Sequence, residues 1–540
     1  MPTDLDADWW RDAVVYQVYP RSFADGGGDG VGDLPGLIAR LPHLAELGVD
    51  ALWISPWYRS PMADAGYDVA DYRAIDPLFG SLADADKLLA AAHELGLRVI
   101  IDIVPNHCSN QHPWFRAAVA AGPGSAAREL FHFRPGTGAN GQEPPNDWPS
   151  WFGGPGWERV TSQDGVPEEW YLHLFSPAQP DFNWDHPEVR AEFESILRFW
   201  FDRGVDGFRI DVASLLIKQK GLPSLAAVDA ASGPSPYEDR PEVHDVYRAW
   251  RRIADEYVGT RIFVGELWVS PASLKQYLRP DELHTGFNFP YLQAPWQATE
   301  LRSIIDSTLS LHAEVGAPAT WVLGNHDVTR VVTRYGRAVT SWTDPAGRVP
   351  VPVDLQLGTR RARAAALLYL ALPGCAYVYQ GEELGLWEVE DIPAERRQDP
   401  TYFQTGGANL GRDGCRVPLP WEAEEPWFGF GTMVGASEPW LPQPEAWRAY
   451  AVDAQAGDPS SMLTLYRDAL RLRQSIGGEL TWVESSGDVL HFRRGTDFGC
   501  VVNFGADPVP LPANAEVVLG SAPISDGALP SDAAVWLRLG

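Results

Sequence analysis

The segment HPEVRAEFESILRFWFDRGVDGFRID, from His186 to Asp211, contains the unit that decides the fold. Apolar residues in its first part recur at steps of three and four, which predicts one buried stripe along an α-helix. The members of that stripe are Val189, Phe193, Ile196, Leu197 and Trp200. The second part, GVDGFRID, is a short apolar run that ends on charged residues, and it has the pattern of a buried strand. A helix followed by such a strand is a repeating unit of α/β folds.

The same alternation continues along most of the 540 residues. Seven further runs have the character of this strand: AVVYQVYP from Ala13, ALWISP from Ala51, RVIIDIVPN from Arg98, RIFVGEL from Arg261, LHTGFNF from Leu283, TWVLGNHD from Thr320 and AYVYQGEE from Ala376. Most are continuously apolar, as expected for parallel strands that are covered on both faces. Two helical patterns between them end at Gly48 and Gly96, and glycine suits the left-handed position after a helix. Eight strand and helix repeats predict an α/β protein with a (β/α)₈ TIM barrel.

Two regions break the alternation. Residues 108–175 follow the third strand and are rich in Gly, Pro, Trp and His, which predicts an inserted loop subdomain. Beyond Ile476, short runs such as DVLHFRR and GCVVNFG predict a small antiparallel β-domain at the C-terminus. We therefore expect barrel segments at 1–107 and 176–476, the inserted subdomain at 108–175 and the C-terminal β-domain at 477–540. The Pro- and Gly-rich stretch 399–444 is predicted to be a long loop near the barrel mouth.

Composition excludes several classes of protein. The formal net charge of −29 disfavours a nucleic-acid partner, because a nucleic-acid binder needs basic surface. No run approaches the length of a membrane span, and the N-terminal MPTDLDADWW lacks the apolar region of a secretory signal. We expect a cytoplasmic monomer or homodimer that acts on a small molecule. The scattered Cys108, Cys375, Cys415 and Cys500 form no CxxC pair, which predicts free buried thiols rather than a zinc site or a disulfide framework.

Polar residues end four of the predicted strands. In a (β/α)₈ barrel the chemistry lies at the C-terminal ends of the strands. The residues found there are Asp102, Asn106 and His107 after the third strand, Arg209 and Asp211 after the fourth, Glu266 after the fifth, and Asn325, His326 and Asp327 after the seventh. Helix capping or core packing explains any one of them alone. Four strands that all end in this way predict one shared cavity.

Three carboxylates and an arginine in one cavity favour glycoside hydrolysis, which requires a nucleophile and an acid. Arg209 lies two residues before Asp211 on the same strand, so both side chains face the same way. The guanidinium is expected to keep Asp211 ionised, as a nucleophile must be. The acid of such a pair needs a raised pKa, which desolvation supplies, and Glu266 in the apolar FVGELW suits that role. A third carboxylate can bind the sugar hydroxyls more strongly as the ring flattens.

The motifs DIVPNH, GFRIDV, GELW and GNHD, in this order, resemble the four signature regions of the α-amylase family of glycoside hydrolases. QPDFNW at 179–184 resembles the fifth region of that family. GYDV at 66–69 and GRDGCRVPLPW at 411–421 are similar to segments of its α-glucosidase branch. The contexts ELHTGFNF and WVLGNHDVTRVVTRYG are most similar to actinobacterial α-glucosidases. The resemblance covers nearly the whole chain, and it implies the same barrel with an inserted domain and a C-terminal β-domain.

The resemblance implies roles at the matching positions. Asp211 is the implied nucleophile, Glu266 the acid/base and Asp327 the transition-state stabiliser. The implied substrate-binding residues are Tyr67, Asp68, His107, Phe152, Arg209, His326 and Arg416. Of these, Asp68 and Arg416 are expected to hold the 4-hydroxyl of glucose together. Such a clamp requires a non-reducing end, so it predicts an enzyme that trims chain ends. For Phe152, ordinary packing is the alternative.

The loop DGGGDGVGD, from Asp25 to Asp33, follows the first strand. Oxygen-rich loops of this form bind Ca²⁺ or Mg²⁺, and the candidate ligands are Asp25, Asp29, Val31 and Asp33. The loop is not an EF-hand, because Gly36 stands where the final Glu is needed. A glycine-rich turn with solvated acids is the alternative. No cofactor is expected for catalysis, since no GxGxxG or P-loop follows a strand.

The linkage that is cleaved stays open at this point. Val212 directly follows the implied nucleophile, and in part of the family valine there accompanies a preference for α-1,6 bonds. The surrounding motifs resemble an α-1,4 group instead. We therefore expect an exo-acting, retaining α-glucosidase that hydrolyses α-1,4-linked glucose from maltose and short malto-oligosaccharides. The alternatives are an oligo-1,6-glucosidase, or a glucosyl transferase or isomerase acting on maltose, sucrose or trehalose. A non-catalytic transporter partner is disfavoured, because all three carboxylates are present.

Overall fold

The computed structural model of the protein describes residues 8–162, 164–228, 235–342, 351–431 and 435–540. At its centre, eight parallel strands form one sheet. They are β1 (Val14–Val18), β2 (Ala51–Ile54), β3 (Arg98–Ile103), β4 (Gly207–Ile210), β5 (Ile262–Gly265), β6 (Thr285–Gly286), β7 (Thr320–Val322) and β8 (Cys375–Tyr379). Each coincides with one of the eight runs predicted from the sequence, and only β8 begins one residue before its run.

The strands run in the order β6-β5-β4-β3-β2-β1-β8-β7, and every neighbouring pair is parallel. Thr320 on β7 donates its hydroxyl hydrogen to the carbonyl of Gly286 on β6. The first and last strands of the order therefore meet, and the sheet forms a nearly closed barrel. The prediction of a TIM barrel is confirmed.

Eight helices follow the eight strands in turn. They are α1 (Leu34–Leu47), α2 (Leu82–Glu94), α3 (Pro187–Asp202), α4 (Val243–Ala254), α5 (Pro271–Tyr277), α6 (Ala298–Val315), α7 (Leu355–Ala371) and α8 (Met462–Arg473). Asp33 caps the start of α1, and Gly48 ends it with a φ of 92°. All five apolar residues of the predicted stripe on α3 are buried. Other helices span Pro113–Ala121, Phe289–Gln293, Val331–Tyr335, Pro400–Gln404 and Val452–Gln455.

The barrel strands are buried on both faces. Alternate residues point into the barrel and form one apolar cluster, which includes Val15, Trp53, Ile100, Val264, Val322 and Tyr377. The residues between them, such as Val14, Tyr16 and Val18 on β1, pack outward in the larger cluster that contains the helices. Because side chains of a strand alternate between its two faces, this arrangement explains why the strand sequences are continuously apolar.

Two further β-structures flank the barrel. Between β3 and α3, three antiparallel strands at Phe133–Arg134, Trp157–Thr161 and Pro167–Leu172 form the inserted subdomain. At the C-terminus, a five-stranded antiparallel sheet contains Leu480–Trp482, Val489–Arg494, Phe498–Asn503, Glu516–Gly520 and Ala533–Arg538. Smaller two-stranded pairs are Tyr58–Arg59 with Asp71–Ile75 and Val509–Pro510 with Ala528–Leu529. Both predicted β-regions are present, whereas the boundaries at 108, 175 and 477 stay predictions.

The C-terminal sheet packs against α7. The indole N–H of Trp536 donates to the carbonyl of Leu367 at 2.8 Å, and Arg361 pairs with Asp532 at 2.9 Å. The four cysteines are buried, as the sequence predicts. Within the described ranges, none of the helices is long and apolar enough to cross a membrane.

Candidate active site

Arg209 lies at the centre of a carboxylate cluster at the C-terminal ends of β3, β4 and β5. Its Nη1 donates to Asp102 at 2.6 Å and to Asp211 at 2.8 Å, and its Nη2 donates to Glu266. Strand register places Asp102 directly beside Arg209. Asp211 follows two residues after Arg209, so its side chain faces the same way. One buried guanidinium therefore contacts all three of these carboxylates.

Glu266 is held by donors on both of its oxygens. Oε2 accepts from Arg209 and from the backbone N–H of Val212 at 3.1 Å. Oε1 accepts from the indole N–H of Trp268 at 3.1 Å. Val212 has a φ of 38°, which is rare for a β-branched residue and typical of strain at functional sites. This left-handed turn directly after Asp211 points the Val212 N–H at Glu266.

The protonation of Asp211 reflects opposing effects. Burial raises the pKa of Asp211 well above its ordinary value, Arg209 lowers it, and the neighbouring Glu266 and Asp102 raise it again. The expectation that Arg209 keeps Asp211 ionised considered only the lowering effect, and the net direction is upward. Burial is the largest cause, and Glu266 and Asp102, which share the same guanidinium, add to it.

Asp327 lies opposite this cluster on the loop after β7. Its Oδ1 accepts from Arg416 at 2.9 Å and from Arg412 at 3.2 Å, and its Oδ2 lies 3.2 Å from Nε2 of His326. Although desolvation acts to raise the pKa of Asp327, His326 and the two arginines lower it well below the usual range. Asp327 is therefore ionised, and its side chain is 31% exposed toward the pocket.

Tyr67 and His326 form one wall of the site. Their rings stack with centroids 5.3 Å apart, and the Tyr67 hydroxyl lies 2.6 Å from Nε2 of His326. Gln17 donates to Nδ1 of His326 at 2.7 Å, which assigns the proton of the neutral ring to Nε2. Burial lowers the pKa of His326 well below its ordinary value. The Tyr67 hydroxyl is also 3.4 Å from Asp102, so this wall adjoins the carboxylate cluster.

The inserted subdomain contributes a second wall. Its Phe175 packs against His107 and against Phe152, with ring centroids 5.0 and 5.5 Å apart. The guanidinium of Arg412 lies over the Phe152 ring at 5.4 Å. His107 is also 3.2 Å from Gln179, and burial lowers the pKa of its imidazole to about 4. The structure therefore places His107 and Phe152 along the same edge as Arg412.

The structure does not bring Asp68 to Arg416, with which it is predicted to hold the 4-hydroxyl of glucose. The Asp68 carboxylate is fully buried and accepts from the Ser60 hydroxyl and from the backbone N–H groups of Ala63 and Asp64, each at 2.9 Å. Arg416 instead donates to Asp327 and to the carbonyl of His326. Asp68 closes the turn that precedes it, because three donors of that turn surround its carboxylate.

Asp64 is the acidic residue of this loop that reaches the pocket. Its carboxylate pairs with Arg412 at 2.6 Å, and Arg412 also contacts Asp327 and the buried Asp399. Sequence reasoning missed Asp64 and Arg412. The available signals were weak: Asp64 lies three residues before Tyr67, and Arg412 lies four residues before Arg416.

The carboxylates of the loop from Asp25 to Asp33 bind backbone amides. Asp25, Asp29 and Asp33 each accept hydrogen bonds from N–H groups of the same loop. Among the residues that the structure describes, no group of three or more His, Cys, Asp or Glu side chains could hold a metal ion. A structural Ca²⁺ or Mg²⁺ bound by Asp25, Asp29, Val31 and Asp33 stays a prediction, and the ion would compete with these amides.

Comparison with known proteins identifies the family. Residues 17–478 match the family described as alpha amylase, catalytic domain. The chain belongs to the α-amylase family. It is therefore a glycoside hydrolase, and the catalytic roles of Asp211, Glu266 and Asp327 stay predictions from the motifs.

Individual relatives in this family cover nearly the whole chain. A probable alpha-glucosidase of Rhizobium meliloti (strain 1021) is 38% identical over 515 residues, which are 91% of this chain and 87% of that protein. An oligo-1,6-glucosidase of Parageobacillus thermoglucosidasius is 35% identical over 506 residues, with 87% and 84% covered. The crystal structure of the alpha-glucosyl transfer enzyme XgtA has a TM-score of 0.82 at 36% identity, over 98% of this chain and 99% of that one.

Substitutions of Asp64 and Asp68 distinguish a residue that binds substrate from one that stabilises the fold. We expect Asp64→Asn to lower kcat/KM for p-nitrophenyl α-glucoside about 10- to 100-fold, because it removes the carboxylate partner of Arg412 at the pocket. We expect Asp68→Asn to lower the melting temperature by a few °C, because it removes one acceptor of a buried turn. Steady-state kinetics and thermal melts of both variants test this assignment. The opposite pattern, with Asp68→Asn well folded and Asp64→Asn fully active, would contradict it.

The fall of kcat/KM at low pH is expected to follow the protonation of Asp211. Because the pKa of Asp211 is raised and the nucleophile must be ionised, kcat/KM falls at a pH above the ordinary carboxyl value of about 4. Asp102→Asn removes a like charge that raises this pKa, so we expect the acid limb to move to lower pH. A pH series of kcat/KM for both proteins measures the shift. An unmoved acid limb in a folded Asp102→Asn protein would show that Asp102 does not influence the nucleophile.

Proposed function

We propose that the protein is an exo-acting, retaining α-glucosidase that hydrolyses terminal α-1,4-linked glucose from the non-reducing ends of maltose and short malto-oligosaccharides. The observation that carries this proposal is the shared contact of Arg209 with Asp211 and Glu266. Because one guanidinium contacts both carboxylates, they are close neighbours. A retaining glycosidase requires such a pair, at a separation of about 5 Å.

The chemistry proceeds in two steps on these residues. First, Asp211 attacks the anomeric carbon of glucose while Glu266 donates a proton to the leaving oxygen, which gives a glucosyl ester of Asp211. Second, Glu266 removes a proton from water, the water oxygen bonds to the anomeric carbon, and the ester bond to Asp211 breaks. Asp327 stays ionised beside Arg416 and binds the sugar hydroxyls most strongly as the ring flattens. Two displacements retain the α-configuration.

An ion-pair network supports action at chain ends. Arg412 joins Asp64, Asp327 and Asp399 behind the catalytic carboxylates, and its side chain is only 12% exposed. We infer that this buried network closes one end of the site, so that only a terminal sugar can enter. Its fixed charges form directional hydrogen bonds with the hydroxyls of a terminal glucose. The proposed substrate is a small neutral oligosaccharide, and the proposed mechanism requires only side chains and water.

Oligo-1,6-glucosidase activity is the second candidate. Val212 follows the nucleophile, and one relative is an oligo-1,6-glucosidase. Transfer is a further outcome of the same mechanism, because a sugar hydroxyl can replace water in the second step. Because one similar structure is that of an alpha-glucosyl transfer enzyme, the product assay should also measure transfer products.

Loss of the nucleophile tests the mechanism. We expect Asp211→Asn to lower kcat at least about 10³-fold, because the amide cannot form the glucosyl ester. The variant keeps the size of the side chain, so its circular dichroism spectrum and melting curve should match those of a folded protein. Near-normal hydrolysis by a folded Asp211→Asn protein would contradict the assignment of Asp211 as the nucleophile.

Substrate choice tests the linkage. We expect initial rates of glucose release from maltose to exceed those from isomaltose at equal concentration. Products are separated by chromatography, so that transfer products are counted beside free glucose. A clear preference for isomaltose would contradict the α-1,4 proposal and support oligo-1,6-glucosidase activity. Release from neither disaccharide would leave the carboxylate roles in place and direct the assay to sucrose and trehalose.

A further inference from the structure

Gln17 is a buried amide near the C-terminal end of β1, behind the wall that His326 forms. Its side chain is 1% exposed, and it follows Val15 by two residues, so it also points into the barrel. Its Nε2 donates to Oγ of Ser55 at 3.1 Å and lies 2.7 Å from Nδ1 of His326. In the described structure its Oε1 is buried without a hydrogen-bond partner. A buried oxygen without a partner is unfavourable, so another contact of this amide must compensate it.

Asp327 decides which nitrogen of His326 carries the hydrogen. Burial and three nearby arginines lower the pKa of His326, although Asp327 raises it, so the ring is neutral and has one N–H. Nε2 lies 3.2 Å from Oδ2 of Asp327, and an ionised carboxylate can only accept. The hydrogen is therefore on Nε2, and Nδ1 accepts from Gln17. The charged and titratable groups that face His326 are Tyr19, Tyr67, Arg209, Asp327, Arg412, Cys415 and Arg416.

The direction of this hydrogen bond passes on to the carboxylate cluster. The Nε2–H of His326 lies 2.6 Å from the hydroxyl oxygen of Tyr67, which leaves the Tyr67 hydrogen for Asp102 at 3.4 Å. On its other oxygen, Asp102 accepts from Arg209, which also binds Asp211. From β1 as far as Asp102, each group therefore donates to the next.

The other tautomer of His326 would reverse these contacts. With the hydrogen on Nδ1, the lone pair of Nε2 would face the carboxylate of Asp327, and two acceptors repel each other. Tyr67 would turn its hydrogen toward Nε2, and Asp102 would lose a donor. The tautomer therefore affects Asp327, the proposed stabiliser of the transition state, and Asp102, which shares Arg209 with the proposed nucleophile.

We propose that Gln17 is a positioning residue for hydrolysis, because its amide N–H fixes the hydrogen of His326 on Nε2 and keeps that nitrogen a donor. The proposal rests on the proposed function, since it requires His326 and Asp327 to act on a bound glucoside. Gln17 acts through His326. It adds β1 to the strands whose side chains build the site.

Two substitutions of Gln17 and one matched control test the role. Gln17→Met keeps the volume of the side chain and removes the donor, whereas Gln17→Glu replaces the donor by a carboxyl group. Gln455→Glu is the control, because Gln455 is also buried. Its amide donates to the carbonyls of Leu384 and Tyr450 and accepts from the N–H of Leu463.

We expect Gln17→Met to lower kcat for p-nitrophenyl α-glucoside about tenfold and to keep KM within about twofold. The reason is that the His326 ring stays in place while its tautomer is no longer fixed from the Nδ1 side. Circular dichroism and thermal melts check that the variant is folded.

Gln17→Glu has a distinct signature in the pH profile. At low pH the new carboxyl group and His326 share one additional proton, so Nε2 keeps its hydrogen and the variant stays active. As the pH rises this pair loses the proton, the carboxylate accepts from Nδ1–H, and Nε2 is left without a hydrogen. We therefore expect the alkaline limb of kcat/KM to move to lower pH by at least about one unit.

The direction of this shift separates positioning from a general effect of charge. An added negative charge alone favours the protonated form of nearby carboxyl groups, so it would extend activity to higher pH. Gln455→Glu should have a lower melting temperature and an unmoved alkaline limb. An unmoved or raised limb in a folded Gln17→Glu protein would overturn the role of Gln17, as would unchanged kcat in Gln17→Met or an equal shift in Gln455→Glu.

The tautomer is measured directly by ¹⁵N NMR of protein labelled at the ring nitrogens of its 12 histidines. The signals of His326 are those that disappear in His326→Gln. We expect a hydrogen on Nε2 in the wild type and on Nδ1 in Gln17→Glu at high pH. A hydrogen on Nδ1 in an active wild type would overturn the role of Gln17 alone, even if neither variant folds. If the wild type hydrolyses no α-glucoside, the proposed function fails, and the role of Gln17 in hydrolysis fails with it.

Discussion

The contacts of Arg209 with Asp102, Asp211 and Glu266 constrain the rest of the site. A buried carboxylate costs several kcal/mol unless an opposite charge compensates it, and here one guanidinium compensates three. Burial, together with the like charges of Glu266 and Asp102, therefore raises the pKa of Asp211 despite the contact with Arg209. The barrel makes the arrangement available because β3, β4 and β5 are adjacent and parallel, so their C-terminal ends coincide. Glu266 then needs the Val212 N–H and the Trp268 indole to fix its two oxygens.

Recognition depends on loops rather than on strands. Asp64 comes from the loop after β2, Phe152 from the inserted subdomain, and Arg412 and Arg416 from the loop after β8. They converge on Asp327 and on one another through ion pairs and an aromatic contact. This division is physical: strands give rigid placement to the reacting groups, and loops can vary in length around them. The family is therefore evident from the strand ends, and the substrate class depends on the loops.

Much of the fold follows from local pattern. The eight apolar runs, the stripe on α3 and the glycine after α1 each depend on neighbouring residues, so periodicity alone predicts them. Asp211, Glu266 and Asp327 were likewise predictable, because they directly follow such runs. The placement of Asp68 was not. It stands beside Tyr67 in sequence, yet its carboxylate is surrounded by the donors of its own turn.

By itself, the sequence determined the barrel, its two additional β-regions and the α-amylase family, and it placed three carboxylates at strand ends, because each of these features is built from patterns local in the chain. Only the tertiary structure decided that Asp64 rather than Asp68 meets the arginines, that the net pKa shift of Asp211 is upward, and that the indole of Trp268 contacts Glu266. The Asp64–Arg412 pair joins residues 348 positions apart. Such contacts depend on the conformation of two loops and on the summed charge of the cluster, which no local pattern encodes.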